Sequence, residues 1–131
     1  MSLQPEQIEH INVINWFNHN YPDLEDDLHH FANERRCSVQ QGRLLKRMGV
    51  KKGVSDFFLA LGLGGFHGLW IELKAGKGKL TPEQLEFILR KRERGYCAQV
   101  AHGADEAKEA ILTYLDNHIT NSFYNIPKNC T

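Results

Sequence analysis

Residues 53–84 read GVSDFFLALGLGGFHGLWIELKAGKGKLTPEQ, and the rest of the chain is predicted to pack around them. One apolar run follows Asp56, and after a glycine-rich turn a second apolar run carries Glu72 and Lys74. Residues two apart in a strand point to the same face, so Glu72 and Lys74 share a face. If the strand that begins at Asp56 pairs with the second strand, two carboxylates and an ammonium group converge on one patch of sheet. Hard oxygen ligands beside a cation suit both a divalent metal ion and a phosphodiester.

Helical patterns and one further strand surround this segment. The helices are predicted at Pro5 to about His19, Val39 to Met48, Thr81 to about Arg94 and Asp105 to about His118, and the strands at Leu28 to Ala32, Asp56 to Leu61, Leu69 to Ala75 and Tyr96 to His102. The strand-helix-strand order after the turn predicts a parallel pair with a right-handed crossover. The two strands of the opening segment form an antiparallel hairpin. We therefore predict an α/β fold in which a mixed central β-sheet is flanked by α-helices.

The chain is predicted to be one domain over residues 1–131, with a core at about 5–118 and a polar C-terminal tail at 119–131. A length of 131 residues is enough to bury a core without disulfides. The three cysteines lack any CxxC spacing, and no signal sequence opens the chain. No apolar run reaches the roughly 20 residues that cross a bilayer. We therefore expect a cytoplasmic protein with no membrane partner.

Charges are segregated, although the formal net charge is zero. Residues 1–34 hold seven acids and no Lys or Arg, whereas residues 35–52 hold seven basic residues and no acid. A basic face of this kind can neutralise phosphates. The alternative is that these side chains only solvate helix surfaces. The candidate DNA-binding residues are Arg35, Arg36, Arg43, Lys46, Arg47, Lys51, Lys52, Lys77 and Lys79.

The residue types of the central segment are those that metal-assisted phosphodiester cleavage uses. Carboxylates hold Mg²⁺ or Mn²⁺ against a scissile phosphate, and a neighbouring lysine aligns water and offsets developing charge. Gln84 has both a donor and an acceptor, so it could orient Lys74 or the water. It also occupies the N3 position of a capping box that starts at Thr81. The simpler interpretation is an exposed Glu72–Lys74 ion pair and a Gln84 that only caps its helix.

Three motifs together resemble the virus-type replication-repair nuclease (VRR-NUC) domain of the PD-(D/E)XK nuclease superfamily. They are Gly-Val-Ser-Asp at one strand, Gly-Leu-Trp-Ile-Glu-Leu-Lys at the next, and Lys-Leu-Thr-Pro-Glu-Gln at a helix start. The resemblance covers roughly residues 6–115 and is to the stand-alone version found in phages and bacteria, which implies that the cytoplasm is that of a bacterial or phage-infected cell. It implies a restriction-endonuclease-like fold.

The resemblance also implies roles for individual residues. Asp56 and Glu72 would bind metal together with the Leu73 backbone carbonyl, and Lys74 would be the catalytic lysine. Gln84 matches the glutamine that the family carries on this helix, so Lys74, Gln84, Asp56 and Glu72 form the implied catalytic set.

The family also has a first-helix glutamate, which falls at Glu6, with Glu9 as the alternative. Two positions depart from its pattern: Ser55 stands in place of a proline, and His10 in place of a glutamine. His29, His30, His67 and His102 show no defensible ligand spacing and are interpreted as surface or loop residues.

The function implied is a metal-dependent, structure-selective DNA endonuclease that resolves Holliday (four-way) junctions as a homodimer and needs no organic cofactor. Candidates to cover the dimer surface are Phe57, Phe58, Phe66 and Trp70. One alternative is a flap, sequence-specific or nicking endonuclease on the same fold. Another is a non-catalytic nucleic-acid-binding module.

Overall fold

The structure is a computed structural model that describes residues 2–32 and 38–116. Four helices and four strands occur in this part of the chain: α1 (Pro5–Asn20), β1 (Leu28–His30), α2 (Val39–Arg47), β2 (Phe57–Leu59), β3 (Leu69–Lys74), α3 (Pro82–Glu93), β4 (Cys97–His102) and α4 (Ala104–Leu115). A 3₁₀ helix, Pro22–Asp27, occupies the acidic turn after α1. The predicted tail at 119–131 lies outside the described residues.

The strands form one sheet in the order β1-β2-β3-β4. Strand β2 pairs antiparallel with β1 and β3, and β3 pairs parallel with β4. The predicted mixed sheet is therefore confirmed. Strand β2 begins one residue later than predicted, because the Leu73 N–H donates to the Asp56 side chain rather than to a strand carbonyl, and it ends two residues earlier, at Leu59. Asp56 consequently lies just before the strand instead of inside it.

Helices cover both faces of the sheet. Val13 and Phe17 of α1 and Ile111 of α4 pack with Ile71 and with its same-face strand neighbours in the larger apolar cluster. A smaller cluster on the other face contains Ile88, Ala98, Val100 and the partly buried Trp70. Because strand side chains alternate, Glu72 points to this second face, under α3. The core is built from Ile, Leu, Val and aromatic side chains that the strand and helix periods place inward.

The predicted capping box of α3 is confirmed. Thr81 Oγ1 accepts a hydrogen bond from the Gln84 N–H at 3.1 Å, and Gln84 Oε1 accepts one from the Thr81 N–H at 2.9 Å. The box fixes the first turn of α3 and with it the position of the Gln84 side chain. Gly53 is pressed against this turn, since a Cβ there would lie 2.5 Å from the Glu83 carbonyl oxygen.

The aromatic candidates for a dimer surface do not all lie at the surface. Phe57 is fully buried in the larger cluster, so its prediction is wrong: it is on the inward face of β2. Phe58 and Trp70 are partly exposed and stacked, with ring centroids 4.3 Å apart. Among the described residues, no helix combines the length and the apolar character needed to cross a membrane.

Candidate active site

Asp56 lies at one end of the central strands, where it contacts β3 and approaches α1. Its Oδ2 accepts a hydrogen bond of 2.7 Å from the Leu73 N–H, and its Oδ1 lies 4.0 Å from His10 Nε2 on α1. The N–H and C=O of a strand residue point to the same side of the strand, so the Leu73 carbonyl faces the side of β3 on which Asp56 lies. The strand end thus presents a carboxylate and a backbone carbonyl to the same space.

Glu72 is the buried acid of the group, with 2% of its surface exposed. Its Oε2 lies 3.4 Å from Gln84 Nε2, which donates to it, and 4.0 Å from Lys74 Nζ. Its Oε1 is buried without a hydrogen-bond partner in residues 2–32 and 38–116. Burial, together with the neighbouring Asp56 carboxylate, raises the pKa of Glu72 to about 10, against the opposing effect of Lys74.

This donor set fits a hard divalent cation. The Asp56 carboxylate is close enough to Glu72 to raise its pKa, and the Leu73 carbonyl adds a third oxygen on the same side of β3. Oxygen ligands of this kind are those that Mg²⁺ and Mn²⁺ take in proteins. A cation would also satisfy the buried Glu72 oxygen and compensate a charge that is otherwise costly to bury.

Lys74 is held beside these acids by the loop that follows β3. Its side chain is only 14% exposed, and a Cβ on Gly78 would lie 3.5 Å from the lysine stem. The Lys74 carbonyl accepts a hydrogen bond of 2.9 Å from the Gly103 N–H. Contacts of the Lys74 backbone and of its aliphatic side chain therefore keep the residue at the site. Lys77 and Lys79 are exposed in the same loop.

The first helix brings Glu6, and not Glu9, to Asp56. Glu6, His10 and Asp56 each offer a ligand atom within 4.8 Å of the others. Glu9 instead accepts a hydrogen bond of 2.5 Å from the Ala104 N–H, at the first residue of α4. Gly103, the N-cap residue of α4, has no side chain with which to cap it. Glu9 therefore caps α4 from a distant helix and favours its dipole.

Opposite consequences are expected for the two glutamates. Glu9→Ala should lower the free energy of unfolding by about 1–2 kcal/mol, because α4 loses its cap. Glu6→Ala should change stability little and should weaken Mn²⁺ binding. Thermal melting and calorimetric titration of both variants measure the two effects. Weakened metal binding in Glu9→Ala with none in Glu6→Ala would reverse the assignment.

The candidate DNA-binding side chains that the structure describes are exposed: Arg43, Lys46, Arg47, Lys51, Lys52, Lys77 and Lys79. Arg35 and Arg36 lie outside the described residues. Residues 51–53 pass the first turn of α3, because Gly53 packs against Glu83. Lys51 and Lys52 thus precede a residue packed on the first turn of α3, and Lys77 and Lys79 lie in the loop after β3. On the α1 side a cleft of about 500 Å³ is lined by residues that include Glu6, His10, His30 and Asp56.

Two histidines in the site were not predicted as ligands. The His10 ring packs against His30 and Phe57, with centroid distances of 4.7 Å and 5.2 Å. His30 Nδ1 lies 2.9 Å from the Asp56 carbonyl oxygen. The spacing of Glu6 and His10, four residues apart on one helical face, was the signal that could have identified His10. His30 had no local signal, since pairing of β1 with β2 brings it here.

Comparison with known proteins agrees with this geometry. The family model described as "VRR-NUC domain" matches residues 2–105. A solved structure titled "VRR_NUC domain protein" is 32% identical, with a TM-score of 0.76, over 88% of this chain and 92% of that one. No match was found among the curated proteins. The family implies a nucleic-acid substrate and a divalent metal ion. Because the family model matches about four fifths of its length and a solved member of the family is similar to it, the chain belongs to the VRR-NUC family of PD-(D/E)XK-type nucleases.

Proposed function

We propose that this nuclease is a metal-dependent, structure-selective DNA endonuclease that resolves four-way junctions as a homodimer. The main support for nuclease chemistry is the set of contacts around Glu72. Gln84 and Lys74 approach one oxygen of Glu72, and Asp56 lies next to it on the neighbouring strand end. Two acids, a lysine and an amide are thereby collected from three elements. The simpler interpretation, an exposed Glu72–Lys74 ion pair, does not fit a Glu72 that is 2% exposed.

Asp56, Glu72 and the Leu73 carbonyl would hold Mg²⁺ or Mn²⁺, with Glu6 as a further carboxylate on the α1 side. When bound, the cation lowers the pKa of its water and stabilises charge on the phosphate. Asp56 is held for this role by the Leu73 N–H, which leaves its second oxygen directed toward α1. Glu72 is held by Gln84, which leaves its buried Oε1 as a ligand.

Lys74 and Gln84 would act on the reacting groups and on their orientation. The Lys74 ammonium group lies 4.0 Å from Glu72 Oε2 and can donate to a phosphate oxygen or to the attacking water. Gln84 fixes the Glu72 carboxylate through Nε2 while its Oε1 stays in the capping box. One side chain therefore joins the helix start to the catalytic acids. It is a positioning residue.

A symmetry argument supports the proposal of junction resolution. A twofold dimer places two active sites on two strands of a symmetric junction. Exposed apolar side chains at and near α1 and α2 leave surface that a second copy could bury: Leu3, Ile8, Ile11, Val39, Leu44 and Met48. The exposed basic residues would contact the phosphates of the junction arms.

Cleavage assays test this function. The substrates are labelled four-way junction, flap and linear duplex DNA, each incubated with Mg²⁺, Mn²⁺ or EDTA. We expect symmetric cuts in the junction with either metal, no cutting in EDTA, and slower cutting of the duplex. Light scattering should give the mass of a dimer at the concentrations that cut. Equal cutting of flap and junction by a monomer would reject the junction proposal, and cleavage of no substrate would reject the endonuclease.

A further inference from the structure

A second set of ligand atoms lies on the α1 side of the Asp56–Glu72 pair. Glu6 Oε1 is 3.8 Å from His10 Nε2, and Asp56 Oδ1 is 4.0 Å from the same nitrogen. Both distances exceed those of hydrogen bonds. Two ligands on one cation, each bound at about 2.1 Å, can lie up to about 4.2 Å apart. The spacing of the three side chains thus suits a shared cation.

The His10 ring is held in place by its surroundings. It is only 16% exposed and packs against the rings of His30 and Phe57. Val13 and Phe17 lie on the same stripe of α1 and are fully buried, so the helix cannot rotate without disturbing the core. The nitrogen that faces Glu6 and Asp56 is therefore preorganised, as an imidazole ligand needs to be.

We propose that Glu6, His10 and Asp56 form a second divalent-cation position, one that takes Mn²⁺ or another first-row transition metal in preference to Mg²⁺. It shares Asp56 with the position formed by Asp56 and Glu72. The proposal deepens the proposed function and rests on it, because the first position is assigned there.

The chemical reason for the selectivity is the nitrogen ligand. Imidazole suits first-row transition metals, whereas Mg²⁺ keeps oxygen ligands and releases its water reluctantly. The Asp56–Glu72 position, with only oxygen donors, has no such preference built into it. The family pattern has a glutamine at the position of His10, and an amide oxygen would not discriminate between the metals in this way. His10 therefore separates the two positions by ligand type.

Pulsed EPR of bound Mn²⁺ tests the nitrogen ligand without reference to cleavage. In the wild-type protein we expect coupling to ¹⁴N, and titration should show a second Mn²⁺ per protomer. His10→Gln should lose the ¹⁴N coupling and bind the second Mn²⁺ at least about tenfold more weakly. It should also let Mg²⁺ displace Mn²⁺ at lower concentration. His10→Phe retains a ring against Phe57 and should give the same loss.

His29→Gln is the matched control, since His29 is exposed on β1 and outside the triad. It should keep both the ¹⁴N coupling and the second Mn²⁺. Melting temperatures show that each variant is folded. Unchanged ¹⁴N coupling in a folded His10→Gln, or no ¹⁴N coupling in the wild type, would overturn the proposal. Junction cleavage in Mg²⁺ is measured separately, so failure of the proposed function and failure of this site give different results.

Discussion

Glu72→Gln is expected to stabilise the metal-free protein at pH 8 and at the same time to remove its nuclease activity. The substitution keeps the shape of a side chain that is 2% exposed, but it removes a carboxyl whose charge is costly to bury. The amide cannot replace the carboxylate as a metal ligand of equal strength. We expect cleavage to fall at least about 100-fold.

The stabilisation should depend on pH with a defined sign. The pKa of Glu72 is raised from its ordinary 4.5 to about 10, so the folded protein retains a proton that the unfolded chain releases. Stability of the metal-free wild type therefore decreases as pH rises through this window. Glu72→Gln removes that dependence and should raise the melting temperature by about 5 °C or more at pH 8. The gain at pH 5 should be smaller.

Scanning calorimetry in EDTA at both pH values measures the effect, with Glu86→Gln as the control. Glu86 forms an exposed ion pair with Arg90 at 2.8 Å, and its replacement should shift the melting temperature by no more than about 2 °C. Added Mn²⁺ should stabilise the wild type more than Glu72→Gln. A variant that melts below the wild type at both pH values would contradict the raised pKa.

Lys74→Met is expected to reduce cleavage by about 10²–10³-fold while the protein still binds junction DNA. Methionine keeps much of the stem that packs beside Gly78, so the loop after β3 should retain its position. The loss is that of an ammonium group 4.0 Å from Glu72 Oε2, which in the proposed mechanism donates to the phosphate or to the attacking water. The many exposed basic residues should maintain DNA affinity.

Single-turnover cleavage and electrophoretic binding assays separate the two properties. Lys108→Met serves as the matched control, because Lys108 lies on α4 over the Trp16 ring, 6.0 Å from its centroid. Its cleavage rate should equal that of the wild type. If Lys74→Met cut at the wild-type rate, Lys74 would have no part in catalysis. If it lost binding and cleavage equally, the lysine would serve only to hold the DNA.

Local sequence patterns predicted much of the fold. The two apolar runs around the glycine turn became an antiparallel pair, and the Thr81 capping box started α3 as expected. The capping box joins residues three apart, and the antiparallel pair joins two strands that are consecutive in the chain. Both patterns can therefore be recognised from the order of the residues. Strand ends were predicted less well. The first residue of β2 depends on which group accepts the hydrogen bond of the Leu73 N–H, and that acceptor is the side chain of Asp56.

The identity of the first-helix acid required the tertiary structure. Glu6 and Glu9 both lie near the start of α1, and the helical pattern alone leaves both open. Packing of Val13 and Phe17 on the sheet sets the rotation of α1. That rotation directs Glu6 toward Asp56 and sends Glu9 to the Ala104 N–H, 95 residues away. The same packing places His10 beside Asp56.

By itself the sequence determined the set of chemical groups, namely two acids, a lysine and a glutamine on consecutive strands and a helix. It did so because strand alternation and helix capping are local rules. Only the tertiary structure decided that Glu72 is buried, that Glu9 caps α4, and that His10 joins Glu6 and Asp56. Each of these depends on contacts between elements far apart in the chain, where packing of whole helices on the sheet determines which side chains meet.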